Sequence, residues 1–189
     1  MPAYGPGDYV QFALSGISTG SIYVLIALGL ITIYNVTGII NLAQGEFVML
    51  GAMLAVVFQK ARLPLALAAG LSVVCVTAIG VLTERITIRP ARRAPEVTLI
   101  IITIGTGIAL RGAALLLWGT DSYALPEFSP GAPLQAWGAV LSRQRIWIMG
   151  ASALVLLVLY LFFEHTLLGK AVRACAINRM AAETLGVNT

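Results

Sequence analysis

Residues Tyr9 to Gly45 read YVQFALSGISTGSIYVLIALGLITIYNVTGIINLAQG, 37 positions without a charged side chain. As one helix rising about 1.5 Å per residue, the stretch would measure roughly 55 Å, nearly twice a hydrocarbon core of about 30 Å. It must therefore turn. Asn35 and Gly38 in Tyr34-Asn-Val-Thr-Gly38 are the local breakers, which places a first span near residues 10–34 and a second near 39–59.

The rest of the chain has the same character. It is 59% hydrophobic and 11% charged over 189 residues, with a mean hydropathy of +0.91. That balance leaves too little polar surface to cover a water-soluble globule, so the chain reads as an integral membrane protein. Leu63 to Thr83, Val97 to Trp118 and Arg145 to Phe163 supply a third, fourth and fifth span. The expected fold is all-α: a polytopic transmembrane helical bundle of about five spans, with the N-terminus outside. The N-terminal MPAYGPGDYV lacks a basic n-region and its apolar run is too long for a cleaved signal, so the first span is expected to be retained.

A net charge of +4 records loop sidedness rather than affinity for nucleic acid. Arg85, Arg89, Arg92 and Arg93 lie between spans three and four, and Lys170, Arg173 and Arg179 follow span five. Lys60, Arg62, Arg143 and Arg145 lie in the opposite loops. The more basic side is assigned to the cytoplasm, which brings Trp118, Trp137 and Trp147 to the outer interface, where aromatic belts form. The outer loop 119–144 holds Pro126, Pro130, Gly131 and Pro133 and is expected to be irregular, with a short interfacial helix around Leu134 to Leu141. Gly16 and Gly20, near Ala13, Ser15 and Thr19, set small residues at helical spacing in the first span, for close packing inside the subunit or for a dimer contact. Cys75 and Cys175 fall in a span and a cytoplasmic segment, which suggests neither a disulfide nor a metal site.

Few residues in the spans carry chemistry. Glu46 sits about seven residues into the second span, roughly 10 Å from its cytoplasmic end, and a carboxylate there is expected to face protein, a cavity or a partner. Arg111 lies about fourteen residues into the fourth, or roughly 21 Å. That depth mismatch argues against a direct pair, so Arg111 is expected to snorkel outward past Leu115 and Trp118 or to line an outer vestibule. Asn41 and Gln44 share the turn with Glu46, while Gly38 and Gly45 allow a backbone break, which membranes tolerate only where it is buried or lines water. Either an interhelical hydrogen-bond cluster or a gate in a solute path fits these residues. The lone His165 lies outside the spans with no metal or nucleophile constellation, so a catalytic site is not expected. Residues 169–186 read as a basic, alanine-rich, helix-prone segment ending in Gly186, offering small side chains for docking or forming a solvated connector.

Three motifs in one order resemble the permease subunits of ABC importers for branched-chain amino acids, the hydrophobic amino acid uptake branch. Gly38-Ile-Ile-Asn-Leu-Ala-Gln-Gly-Glu46 is similar to that family's Gly-x-x-Asn-Phe-Ala-His-Gly-Glu, and Glu84-Arg-Ile-Thr-Ile-Arg-Pro-Ala-Arg92 to its Glu-Arg-x-x-x-Arg-Pro-x-Arg. Leu168-Gly-Lys-Ala-Val-Arg-Ala-Cys-Ala176, with Ala181-Ala182 and Leu185-Gly-Val-Asn188, resembles its cytoplasmic coupling loop. The chain departs from the pattern at Leu42 and Gln44, where phenylalanine and histidine are usual, and at Met180, where the wider importer motif has glutamate.

The resemblance implies a single transmembrane permease domain over residues 1–189, incomplete at its C-terminus, with 164–189 as the cytoplasmic coupling loop. It implies a multi-pass protein of the bacterial inner membrane that works with a second permease subunit, cytoplasmic ABC ATPase subunits and a periplasmic or extracellular solute-binding protein, without nucleic acid. The chain has no Gly-x-x-x-x-Gly-Lys-Ser/Thr loop, so ATP is expected on the partner subunit and no cofactor on this chain. Asn41, Gln44, Glu46 and Arg111 become the candidate solute path or gate. Gly169, Arg173, Ala174, Ala181, Ala182 and Gly186 become the candidate contacts to the ATPase, and Ala182→Asp is expected to weaken that docking. Urea or short amides are the nearest substrate variants, and an ion-coupled carrier or channel, or a nonfunctional truncated permease, the functional alternatives.

Overall fold

The computed structural model describes residues 5–129, 131–136, 139–177 and 182. The chain is an all-α polytopic bundle. Among the described residues four helices are long and apolar enough to cross a membrane, lying within Gly7–Asn35, Leu65–Ala91, Glu96–Trp118 and Arg143–His165. The helices wear their large apolar side chains outward, Tyr23, Val73, Ile108 and Leu116 among them, and bury small ones such as Ala55, Ala68 and Ala114. This inversion suits lipid as the surrounding solvent, where close backbone approach replaces the hydrophobic core. Hydroxyls within the helices donate back to carbonyls three or four residues earlier, as at Ser21, Ser72, Thr77 and Thr106, and among the described residues no buried side-chain nitrogen or oxygen lacks a partner.

The chain packs as two units. One combines the residues up to Val36 with those from Glu127 onward. Its helix α1 (Pro6–Thr37) begins with proline at its first position, and the Asp8 carboxylate accepts the Gly5 N–H at 2.8 Å. Strands β1 (Leu134–Ala136) and β2 (Ala139–Leu141) pair antiparallel, with Ala136 opposite Ala139. The short interfacial helix expected over Leu134 to Leu141 is therefore a β-ribbon. Eight residues behind Pro133 are too few to repay helix nucleation, and the Gln11 side chain accepts the Val140 N–H at 2.7 Å. Trp137 lies outside the described residues.

Helix α5 (Arg143–His165) follows, with Arg145 bonded to the Ser15 hydroxyl and the Trp147 indole donating to Ser129 at 3.2 Å. Helix α6 (Leu167–Ile177) turns off its end. In α1, a Cβ added at Gly16 or Gly20 would meet nothing within 4 Å.

The other unit spans Thr37–Pro126. Helix α2 (Gln44–Lys60) and helix α3 (Leu65–Thr83) form a tight antiparallel hairpin, closed by Arg62 in the left-handed region at φ 63°. The Leu63 N–H returns to the Phe58 carbonyl at 3.2 Å and the Arg62 N–H to that of Gln59 at 2.9 Å, which satisfies the end of α2. Gly51 faces Val76 and Gly80 faces Phe47 across the hairpin.

Beyond Thr83 the helix does not stop at the membrane edge as expected. It continues through a π turn (Glu84–Ile88) and a 3₁₀ turn (Arg89–Ala91), and Arg92 reaches back to Glu84 at 2.9 Å. Helix α4 (Glu96–Trp118) completes the unit. Lys60, at the end of α2, lies 4.1 Å from the centre of the Tyr123 ring, just beyond α4.

Candidate functional site

The site is built where the long first stretch breaks. Helix α1 runs three residues past the expected boundary, and Gly38 ends it at φ 69°, a conformation glycine adopts without steric cost. No helix follows directly. Residues 38–43 are non-helical, and α2 begins only at Gln44, so the expected second span near 39–59 is shortened to 17 helical residues. Asn41 organises the turn: its side-chain oxygen accepts the Ala43 N–H at 3.1 Å and its carbonyl accepts the Gln44 N–H at 3.2 Å.

The opened backbone is satisfied by α4. Thr103, 1% exposed, accepts the Leu42 N–H at 3.3 Å and lies 3.4 Å from the Ile40 carbonyl, while its own hydroxyl donates to Ile100 at 2.8 Å. One turn further, Gly107 leaves room for the chain to pass: a Cβ there would lie 3.6 Å from Ala43 Cα and 3.5 Å from Glu46 Cγ. One turn beyond that stands Arg111, whose Nη2 donates to Glu46 Oε1 in an ion pair.

The depth argument against this pair is thus overturned. Residues 38–43 are not helical and end in a turn, so the rise of about 1.5 Å per residue that set the depth of Glu46 does not hold across them. The non-helical segment runs beside α4 from Thr103 towards Arg111 and delivers Glu46 to the middle of the neighbouring helix. Nor does Arg111 turn away towards Trp118.

The charges are unequally sheltered. The Glu46 side chain is 12% exposed and that of Arg111 is 67% exposed. Glu46 also occupies the first turn of α2, where the helix dipole favours an anion. One guanidinium nitrogen holds the carboxylate, and the others remain available to a further acceptor. Gln44 is half-buried, and its side chain makes no hydrogen bond among the described residues. Of the four sequence candidates the structure pairs Glu46 with Arg111, gives Asn41 a turn-forming role and leaves Gln44 free. Thr103 and Gly107 were missed, although Thr103, Gly107 and Arg111 recur at four-residue intervals and so share one face of α4. Among the described residues no cluster of His, Cys, Asp and Glu could hold a metal ion.

The candidate docking segment is built at the corner between α5 and α6. The Thr166 hydroxyl accepts the Gly169 N–H at 3.0 Å, capping α6, and donates to the Phe162 carbonyl at 2.6 Å. Gly169 is buried against the end of α5, where a Cβ would come within 2.6 Å of Phe163 Cα and closer still to the Phe162 carbonyl oxygen. Arg173 bridges to Glu164 at 2.6 Å, tying α6 to α5 a second time. Ala174 is half-buried on α6 and Ala182 is 2% exposed. Ala181 and Gly186 lie outside the described residues.

Comparison with known proteins agrees with this arrangement of motifs. The family described as "Branched-chain amino acid transport system / permease component" matches residues 12–189. The chain is 31% identical over 194 aligned positions to the high-affinity branched-chain amino acid transport system permease protein BraD of Pseudomonas aeruginosa. It is 30% identical to the permease protein LivH of Escherichia coli K12 and 29% to that of Salmonella typhimurium. Each alignment covers 96% of this chain and 63% of the relative, so the chain spans less than two thirds of the length of these proteins. No solved structure matches. With the three motifs in register and the match running from residue 12 to residue 189, the chain belongs to the branched-chain amino acid transport system permease family.

Proposed function

We propose that the chain forms part of the solute path of an ATP-driven importer for branched-chain amino acids in the bacterial inner membrane. The observation that carries this is the broken helix before α2, whose non-helical residues 38–43 are sealed by Thr103 and place Glu46 against Arg111. Interrupted helices at membrane depth persist where they are packed in protein or line water, and transporters use them to bind solutes. Asn41 and Gln44 shape the turn, and the Glu46–Arg111 pair acts as a gate whose exposed guanidinium faces the path.

The α5–α6 corner is the coupling element. A cytoplasmic ATPase subunit docks on the segment that carries Arg173, Ala174, Ala181 and Gly186, with the buried Gly169 and Ala182 positioning that segment rather than touching the partner, and its closure on ATP moves α6 together with α5. A second permease subunit and a solute-binding protein complete the system. The names of the relatives support the amino acid class, and the two ties between α6 and α5 support transmission of force.

The test is uptake of labelled leucine in cells carrying the intact gene, compared with a deletion strain. Uptake lost on deletion, abolished when ATP is depleted and insensitive to collapse of ion gradients is expected. Uptake that survives ATP depletion but follows an ion gradient would replace the proposal with a secondary carrier. Unchanged leucine uptake in the deletion strain would remove the substrate assignment.

A further inference from the structure

We infer that the π turn at the end of α3 is a binding site for the headgroup of an anionic phospholipid. Helix α3 contributes 19 residues, roughly 29 Å at about 1.5 Å per residue, which matches the hydrocarbon core by itself. The helical path nevertheless continues to Ala91. Glu84 to Ala91 therefore lies at the depth of the lipid phosphates. The apolar Leu82 and Ile86, 57% and 63% exposed, mark the side that meets the acyl chains.

Four exposed arginines crowd this turn: Arg85, Arg89, Arg92 and Arg93. Only Arg92 has a protein counter-charge, and it consumes Glu84 at 2.9 Å. Arg85, Arg89 and Arg93 form no ion pair among the described residues, and neither does Glu96, the next carboxylate along the chain. Arg85 and Arg89 are four residues apart on one helical turn, where like charges repel. An anion between them removes that repulsion, and the two non-bridging oxygens of a phosphodiester accept the paired N–H donors of a planar guanidinium. At this depth the available phosphodiester belongs to a lipid, and clustered basic side chains beside a span select anionic headgroups. The Glu84–Arg92 clamp keeps the turn's only carboxylate away from the site.

The experiment places the purified full chain in nanodiscs of mixed phosphatidylglycerol and phosphatidylcholine and identifies by mass spectrometry the lipids that remain bound on release. Phosphatidylglycerol is expected to be enriched over the disc composition. Its binding should fall about fivefold for each arginine removed in Arg85→Gln, Arg89→Gln and Arg93→Gln. The corresponding lysine variants keep the charge but not the paired guanidinium donors, so they should bind phosphatidylglycerol more weakly than the wild type and more strongly than the glutamine variants, which separates loss of charge from loss of fold. Absence of enrichment in the wild type, or equal enrichment in the triple glutamine variant, overturns the inference. So does loss of the enrichment in excess inorganic phosphate, which would mark a free-anion site. Unchanged enrichment in the triple glutamine variant, together with loss of ATPase subunits co-purifying with it from membranes, would overturn the inference in favour of a protein-docking surface.

Discussion

Arg111, in the middle of α4, donates to the carboxylate of Glu46 in the first turn of α2, across 65 positions of sequence. Each charge answers the other in surroundings otherwise fit for lipid. Removing one leaves its partner to find water or a new counter-charge, whereas removing both leaves neither stranded. Glu46→Leu and Arg111→Leu are therefore expected to be non-additive, with a coupling of about 0.5–3 kcal/mol in thermal stability of the purified protein. In uptake assays Glu46→Leu should impair transport more than membrane insertion. Additive losses in the double variant would show that the pair contributes nothing as a pair.

Thr103 replaces a missing turn of helix with one hydroxyl. Thr103→Val keeps the shape but leaves the Leu42 N–H without its acceptor, at a cost of about 1–3 kcal/mol for an unsatisfied buried donor. The loss should be local. Hydrogen exchange is expected to speed up at residues 39–44 and to stay unchanged in α3, which takes no hydrogen bond from Thr103. Equal acceleration through α3 would mean that the threonine holds the whole unit rather than the break.

This dependence on a distant hydroxyl explains what the sequence concealed. The break at Gly38 was legible because glycine after a long apolar helix is a local signal. The restart at Gln44 was not, since Ile39, Ile40 and Leu42 are as apolar as any helical span and their non-helical path is held from α4. Every depth counted past that point inherited the error, which hid the Glu46–Arg111 pair. The π turn escaped notice for a different reason: arginines from Arg85 onward look like a loop, yet π and 3₁₀ geometry carry the helical path on to Ala91. In contrast, the long helices themselves followed from hydropathy alone, with α4 and α5 starting or ending within two residues of expectation.

Gly107 sets how near the broken segment can come to α4. A methyl group fits there at ordinary contact distance, 3.5 Å from Glu46 Cγ and 3.6 Å from Ala43 Cα. Gly107→Ala should thus keep stability and uptake close to those of the wild type, with a gain in helix propensity of up to about 1 kcal/mol. Gly107→Leu has no such room and is expected to push Glu46 off Arg111, reproducing the transport defect of Glu46→Leu. Side-by-side uptake measurements check this. A Gly107→Ala variant as damaged as Gly107→Leu would mean that the backbone there needs glycine for another reason.

At the α5–α6 corner the obstacle is backbone rather than side chain. Gly169→Ala drives a methyl into the Phe162 carbonyl and to within 2.6 Å of Phe163 Cα, and neither atom can rotate away. The corner must open, at a cost of about 1–3 kcal/mol typical of overpacking. Thr166→Ala removes only the cap, about 1 kcal/mol, and leaves the packing intact. If the corner transmits the ATPase stroke, Gly169→Ala should uncouple the complex: ATP hydrolysis continues while uptake falls, and Thr166→Ala shows a milder version of both. Ala182→Asp separates less cleanly, because at 2% exposure the carboxylate would be buried within the segment that docks. Uptake and hydrolysis falling together in Gly169→Ala, with the ATPase no longer bound, would instead assign the corner to docking alone.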